Sequence, residues 1–289
     1  MSVVRVDDGE RRRALDLVEY AADDSGAADG IRPLDEAATM ALARDGLAGA
    51  SLWIARDDEG ETDEGFALLR GSSLDLVVAP RGRRRGLGTA LAEAALSEAP
   101  ADVTAWSHAD HPGARRLASR LGLRPTRELW VMERAAGHVD VPTVEGVTIR
   151  GYRDADADEV LRVNAAAFAH HPEQGSMDRA NLAERMAEPW FDPAGLLVAD
   201  AGDRLLAFHW TKQHSAELGE VYVVAVDPVA QGSGLGRAVT AAGLEHLAGL
   251  GVGRIILYVE SDNAAAVATY SRLGFSHTQT HVQYSRSPE

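Results

Sequence analysis

The amino-acid sequence predicts an α/β protein built as two tandem units, each holding a mixed sheet. Three observations carry this reading. One pattern occurs twice, about 150 residues apart: LDLVVAPRGRRRGLGTALAEAAL from Leu74 and VYVVAVDPVAQGSGLGRAVTAAGLEHL from Val221. Each copy is followed by a second matching block, SRLGL from Ser119 and SRLGF from Ser271. Strand-like stretches alternate with helical ones along the chain, as in α/β proteins. The 289 residues suit two domains of about 140. A repeat of this period is a duplicated domain and not a solenoid, because each copy is long enough to hold its own core.

The elements follow in order. Arg11–Ala22 and Leu34–Arg44 read as helices, Ser51–Arg56 and Gly65–Leu69 as strands. Residues 1–137 form the first unit. The stretch GHVDVPTVEG from Gly137 lacks a helical period and contains Pro142, so 138–146 reads as a linker. The second unit, 147–289, opens with Val147–Arg150 as a strand and Asp156–Ala169 as a helix. HHPEQG from His170 is a loop. Leu196–Asp200, Leu205–Thr211 and the β-branched run Glu220–Val226 are strands. Gly236–Leu250 is a helix, Arg254–Glu260 a strand and Ala264–Leu273 a helix.

Composition narrows the function classes. Hydrophobic residues at 45% are enough for two ordinary cores. No apolar run approaches the ~20 residues of a membrane span. The first residues show no secretory leader. Cysteine is absent, which excludes disulfides, thiolate metal sites and a cysteine nucleophile, and suits a cytoplasmic location. A net charge of −15 argues against nucleic acid as a partner. No metal and no membrane partner are expected, and the chain is expected to be a monomer. Lys212 is the single lysine among 29 Lys plus Arg. A lysine kept in an arginine-rich chain points, weakly, to a need for a compact ammonium.

In the second unit the strand ending at Val226 runs through Asp227-Pro228 into Gln231-Gly232-Ser233-Gly234-Leu235-Gly236-Arg237 and then a helix. Glycines at such a junction let backbone approach a ligand, and the helix start offers unpaired N–H groups that suit a pyrophosphate. The dinucleotide fingerprint fails because its last glycine is Arg237, and the P-loop fails because no Gly-Lys-Ser/Thr is present. What remains is Q-x-x-G-x-G, with Arg83-Arg84-Arg85-Gly86-Leu87-Gly88 as its twin.

These loops, with Asn263 and Tyr270 in ESDNAAAVATYSRLGF, resemble the GCN5-related N-acetyltransferase family. The resemblance implies two tandem domains of that fold, each a mixed, mostly antiparallel sheet flanked by helices. RVNAAAFAHHPEQG from Arg162, FHWTK from Phe208, LGEVYVVAVDP from Leu218 and LYVESDNAAAV from Leu257 resemble its mycothiol-forming branch in actinobacteria, as does DGIRPLDE from Asp29. The second loop departs from the branch in having Gly232-Ser233 where arginine is common, and the Lys212–Glu217 connection is short. The coenzyme implied is acetyl-CoA. Its contacts would be the strand end Val224, Ala225 and Val226, the loop Gln231 to Arg237, and the helix start Asn263, Ala264, Ala265, Ala266, Val267 and Ala268. In the first unit they would be Leu76, Val77 and Val78, then Arg84, Arg85, Gly86, Leu87, Gly88 and Thr89. The substrate implied is the cysteinyl-glucosaminyl-inositol precursor of mycothiol, a small thiol-sugar acetylated on its cysteinyl amine. Glu36, Glu173, Lys212, Glu220 and Tyr258 would contact it, with Glu36 reaching in from the first unit. Another amine, such as a peptide N-terminus or an aminoglycoside, is the alternative substrate; a coenzyme-binding module without catalysis is the alternative class.

Acetyl transfer to an amine needs a base, a donor for the thioester oxygen and an acid for the leaving thiolate. Position alone favours a solvated strand-end Glu220; the resemblance makes it the base. Tyr270 is otherwise as well read as a core tyrosine; the resemblance makes it the acid. The repeat supplies an internal comparison. By the offset that aligns Gly86 with Gly234, Ser72 stands in the place of Glu220. By the offset that aligns Ser119 with Ser271, Ala118 stands for Tyr270 and His111 for Asn263. The first unit therefore keeps a loop but lacks both proton-transfer groups, and is expected to be non-catalytic.

Other features read more simply. His170-His171 is not a spaced metal pair, and Asp110-His111-Pro112 is a turn at a helix start. Arg81 to Arg85 read as coenzyme-phosphate contact and solvated face. Ser176 and Ser233 lack the partners of a nucleophile.

Overall fold

The structure, a computed structural model, describes residues 2–6, 11–56, 63–169 and 174–286. The chain forms two compact units: Met1–Leu129 with Thr280–Glu289, and Trp130–Gln279.

The first unit contains β1 (Ser2–Arg5), α1 (Arg11–Asp29), α2 (Glu36–Asp45), β2 (Ala50–Arg56), β3 (Asp63–Arg70), β4 (Ser73–Val78), α3 (Leu87–Glu98), β5 (Thr104–Ser107), α4 (Pro112–Arg120) and the start of β6 (Leu123–Ala135). Strands β1 to β4 pair antiparallel in sequence order, and β4 meets β5 in parallel. Alternation along the strands sorts two cores. Leu52, Ile54, Phe66 and Leu68 pack against α1 and α2 through Val18 and Leu42. Trp53, Ala55, Ala67 and Leu69 face the other way, onto Leu87, Leu91 and Ala95 of α3.

The second unit contains β7 (Thr148–Gly151), α5 (Ala157–Ala167), α6 (Arg179–Met186), β8 (Leu196–Asp200), β9 (Leu205–Gln213), β10 (Leu218–Val226), α7 (Leu235–Gly249), β11 (Arg254–Glu260), α8 (Ala264–Arg272) and the start of β12 (Ser276–Arg286). Its sheet repeats the plan: β7 to β10 are antiparallel, and β10 meets β11 in parallel. Leu196, Val198, Phe208 and Trp210 cover α5 and α6 through Val160, Val163 and Leu182. Ala241, Leu244 and Leu247 of α7 pack with Val221, Ile255 and Leu257 on the opposite face. The mixed, mostly antiparallel sheets flanked by helices are as expected.

The last strand of each unit is the departure from a sequential division at 137 and 147. The chain's C-terminal strand pairs with β5 of the first unit, Val282 opposite Ser107 and Ser285 opposite Thr104. The later part of β6 instead belongs to the second unit, where it neighbours β11. Helix α1 also runs past the expected end at Ala22, to Asp29.

Candidate functional site

The site grows from the β9–β10 hairpin. Glu220 lies directly across the antiparallel ladder from Lys212. Both are nearly buried, 6% and 8% exposed. Lys212 Nζ sits 4.7 Å from the centre of the Trp190 ring and 5.2 Å from that of Tyr222, so aromatic faces help a buried ammonium. Arg185 Nη1 donates to Tyr222 Oη at 2.7 Å, fixing that ring. His214, at the end of the hairpin, places Nε2 2.5 Å from Glu220 Oε2.

Beyond Glu220 the strand opens. Pairing of β10 with β11 stops at Val221 opposite Leu257, and the ladder to β9 is interrupted by a bulge between Val221 and Val223. The edge of β10 turned toward β11 therefore carries no ladder at Val224, Ala225 and Val226, where backbone groups can meet an extended ligand. The first unit shows the same opening, since β4 pairs with β5 only at Ser73 opposite Thr104. Leu76, Val77 and Val78 lie beyond it.

The glycine loop follows. Arg162 anchors it by gripping Asp227 at 2.6 Å and the Leu205 carbonyl at 2.7 Å. This guanidinium holds the Asp227 carboxyl below its ordinary range. Gln231, Gly232, Ser233 and Gly234 are exposed. Gly232 and Gly234 take left-handed φ values of +81° and +84°, a region that costs other residues energy. Gly234 is the N-cap of α7, and no side chain caps that helix. Its first N–H groups, at Leu235, Gly236 and Arg237, are thus available to an anion. A Cβ at Gly236 would lie 3.4 Å from Val226 Cγ2, so helix and strand end approach closely. The residues present therefore fit the pantetheine and pyrophosphate of acetyl-CoA.

The remaining candidates are placed as follows. Asn263 is the N-cap of α8 and accepts from Ala266 N at 3.1 Å, at the head of Ala264 to Ala268. Tyr270 packs edge-on against Phe275, centroids 5.9 Å apart, and burial pushes its phenol up to about 12. Tyr258 is exposed on β11. Glu36 is exposed at the first position of α2, behind the N-cap Asp35. Glu173 and the His170-His171 pair lie outside the described residues.

The first unit's loop is similar but internally occupied. Gly86 caps α3 at φ +88°, while Arg84 takes φ +62° where the second unit has Gly232. Arg83 makes a two-pronged ion pair with Asp29 at 2.7 and 2.6 Å, and Arg85 one with Glu64 at 2.7 and 2.8 Å. Ser72 accepts from Thr104 N through its carbonyl, and Ala118 is buried. Leu87, Gly88 and Thr89 open α3. Sequence reasoning missed His214, the Arg162–Asp227 anchor and the Trp190–Tyr222 pair. The repeat held one signal for the anchor, since Asp227 replaces Ala79.

A twice-built opening in a parallel strand pair, leading into a left-handed loop and an uncapped helix, defines a coenzyme-dependent acyltransferase fold. The profile of the Acetyltransferase (GNAT) family matches residues 20–123 and 163–275, so the chain belongs to the GNAT acetyltransferase family and is an N-acetyltransferase. A mycothiol acetyltransferase of Nocardioides sp. is 52% identical over 94% of this chain and 97% of its own length. One from Nocardia farcinica is 45% identical over 96% and 95%. Among solved structures, a tandem GNAT protein from the clavulanic acid biosynthesis pathway covers all of both chains with a TM-score of 0.66 at 20% identity. A GCN5-related N-acetyltransferase from Sphaerobacter thermophilus gives 0.68 at 23%, covering 98% and 94%. These two share the fold.

Proposed function

We propose that this chain acetylates the cysteinyl amine of the cysteinyl-glucosaminyl-inositol precursor, giving mycothiol and CoA. The observation that carries the reading is the buried Glu220–Lys212 pair beside the strand opening, in a chain 52% identical to a mycothiol acetyltransferase. The repeat supports placing catalysis in the second unit, because Ser72 and Ala118 stand where that unit has Glu220 and Tyr270. The repeat also supports reading 1–137 and 147–289 as the two copies of the duplicated sequence, joined by 138–146, while the last strand of the second copy folds with the first unit.

Acetyl-CoA supplies the acetyl group as a thioester. Val224 to Val226 and the 231–237 loop bind it through backbone groups, with 264–268 beside them. Glu220 removes a proton from the substrate ammonium. A backbone N–H on the open edge of the Val224 to Val226 stretch would donate to the thioester oxygen. Tyr270 holds its proton throughout the neutral range, because burial raises its pKa, and is the acid for the departing thiolate. Lys212, Tyr258, Glu36 and Glu173 supply the polar contacts that a thiol-sugar with one cationic amine and many hydroxyls requires. The test is a comparison of kcat/KM for this precursor with those for an aminoglycoside and a peptide N-terminus. The proposal requires the precursor to win clearly; preference for either competitor would refute it.

A further inference from the structure

We infer that His214 is the proton outlet of the site: a positioning residue that orients Glu220 and passes its proton to solvent. The inference deepens the proposed function and rests on Glu220 acting as base. Nε2 of His214 is 2.5 Å from Glu220 Oε2, and the His214 side chain keeps 33% exposure against 8% for Glu220. The imidazole thus touches both the buried carboxylate and water.

The short connection after β9 puts it there. His214 N donates to the Leu218 carbonyl at 2.9 Å. Ser215 Oγ accepts from Glu217 N and Leu218 N, each at 3.2 Å. Lys212 is opposite Glu220, so His214, two residues further along, returns to the same face. Among the described residues, the acidic and lysine side chains on the two strands and the turn around it are Glu220 on β10, Lys212 on β9 and Glu217 in the turn. Glu217 points elsewhere: a Cβ at Gly253 would meet its Oε2 at 2.8 Å.

Proton counting calls for such an outlet. An ammonium that becomes an amide loses two protons. One ends on the coenzyme sulfur as the free thiol. The other must reach water, yet the base that receives it is buried. At rest Nε2–H of neutral His214 donates to the Glu220 carboxylate; once Glu220 has taken the proton from nitrogen, the part-exposed ring turns, accepts it on its bare Nδ1 and becomes an imidazolium. The imidazolium turns back to donate Nε2–H to the carboxylate and releases the Nδ1 proton to water, which restores carboxylate and neutral imidazole. Imidazole suits the task because it has two ring nitrogens that can each hold or release a proton.

His214→Asn keeps a hydrogen-bond donor but cannot relay. Its kcat should fall by about tenfold or more, less than the 10²–10⁴ of a group acting directly, with the KM values held. Added imidazole should restore turnover in His214→Asn and do nothing for Glu220→Gln. In ¹⁵N-histidine-labelled protein without substrate, the His214 Nε2–H proton should resonate far downfield and lose that shift in Glu220→Gln. Turnover of His214→Asn close to wild type, a loss that imidazole leaves unrepaired, or an Nε2–H signal indifferent to Glu220 would each overturn the inference. If wild type ignores the cysteinyl substrate, the substrate reading fails. The relay is then decided by the same variants on the amine the protein does acetylate, and by the substrate-free spectrum.

Discussion

Lys212 and Glu220 face each other across the β9–β10 ladder, an ammonium and a carboxylate at two nearly buried positions. Facing opposite charges support one another, and in the proposed reaction they divide the work: the carboxylate takes the proton while the ammonium recognises substrate. Glu220→Gln keeps the shape and removes the base. Turnover should fall by roughly 10²–10⁴, while coenzyme affinity, measured by calorimetry, should hold. Near-normal turnover would take Glu220 out of the mechanism.

Lys212→Arg keeps the charge and changes the shape. The ammonium now fits over the rings of Trp190 and Tyr222; a planar, larger guanidinium needs more room. The Michaelis constant for the sugar substrate should rise clearly, with kcat near normal and coenzyme affinity unchanged, as expected for lost uniform binding. Wild-type behaviour at low substrate would make the lone lysine an accident of composition.

Gly234→Val and Gly86→Val separate the two loops. A Cβ at either position meets nothing within 4 Å, so the obstacle is the left-handed φ, +84° and +88°. A β-branched residue there distorts the loop. Gly234→Val should abolish coenzyme binding in the second unit and with it turnover. Gly86→Val should leave most turnover in protein shown to be folded by circular dichroism. Loss of activity in folded Gly86→Val would move catalysis out of the second unit.

Tyr270 should act as a proton donor well into alkaline conditions. Burial raises its pKa from 10.0 to about 12, so the pH profile should show no tyrosine ionisation at the ordinary value. Tyr270→Phe should lower kcat by about 10² or more without weakening coenzyme binding. An alkaline fall centred near 10.0 that vanishes in Tyr270→Phe would contradict this placement.

Two buried histidines should make the fold sensitive to acid. Burial lowers His209 from 6.5 to about 4. Burial, and then the neighbouring His108, lower His281 to about 4. A histidine that stays neutral when folded stabilises the fold above its ordinary pKa of 6.5; that contribution disappears as pH falls through 6.5 toward 4. Each is worth at most about 3 kcal/mol. The melting temperature should therefore drop across this window, and His281→Gln should make the drop shallower. A level melting temperature across the window would count against both assignments.

The glycine loop was legible in the sequence because it is local: Gly232, Gly234 and Gly236 sit at a strand-to-helix junction whatever the rest of the chain does. The repeat added the contrast of Glu220 with Ser72. The sheets' last strands were not legible. Both units end in a similar strand after an SRLG block, so periodicity cannot say whether Val282 or a residue of β6 pairs with Ser107. His214 was missed because a lone histidine in a turn carries no spacing signal. Its role depends on a four-residue connection that turns it back over Glu220. The ion pairs of Arg83 and Arg85 with Asp29 and Glu64 join residues far apart in sequence. They show that basic residues read as phosphate contacts also hold the first unit's own loop.

The most direct measurement supplies wild-type protein with [¹³C]acetyl-CoA and the cysteinyl-glucosaminyl-inositol amine, and follows the acetyl carbon by NMR. The expected product is an amide on the cysteinyl nitrogen, formed with one equivalent of free CoA and absent in Glu220→Gln. Failure to acetylate that amine by protein that binds the coenzyme, or an amide that forms equally well without Glu220, would contradict the proposed reaction.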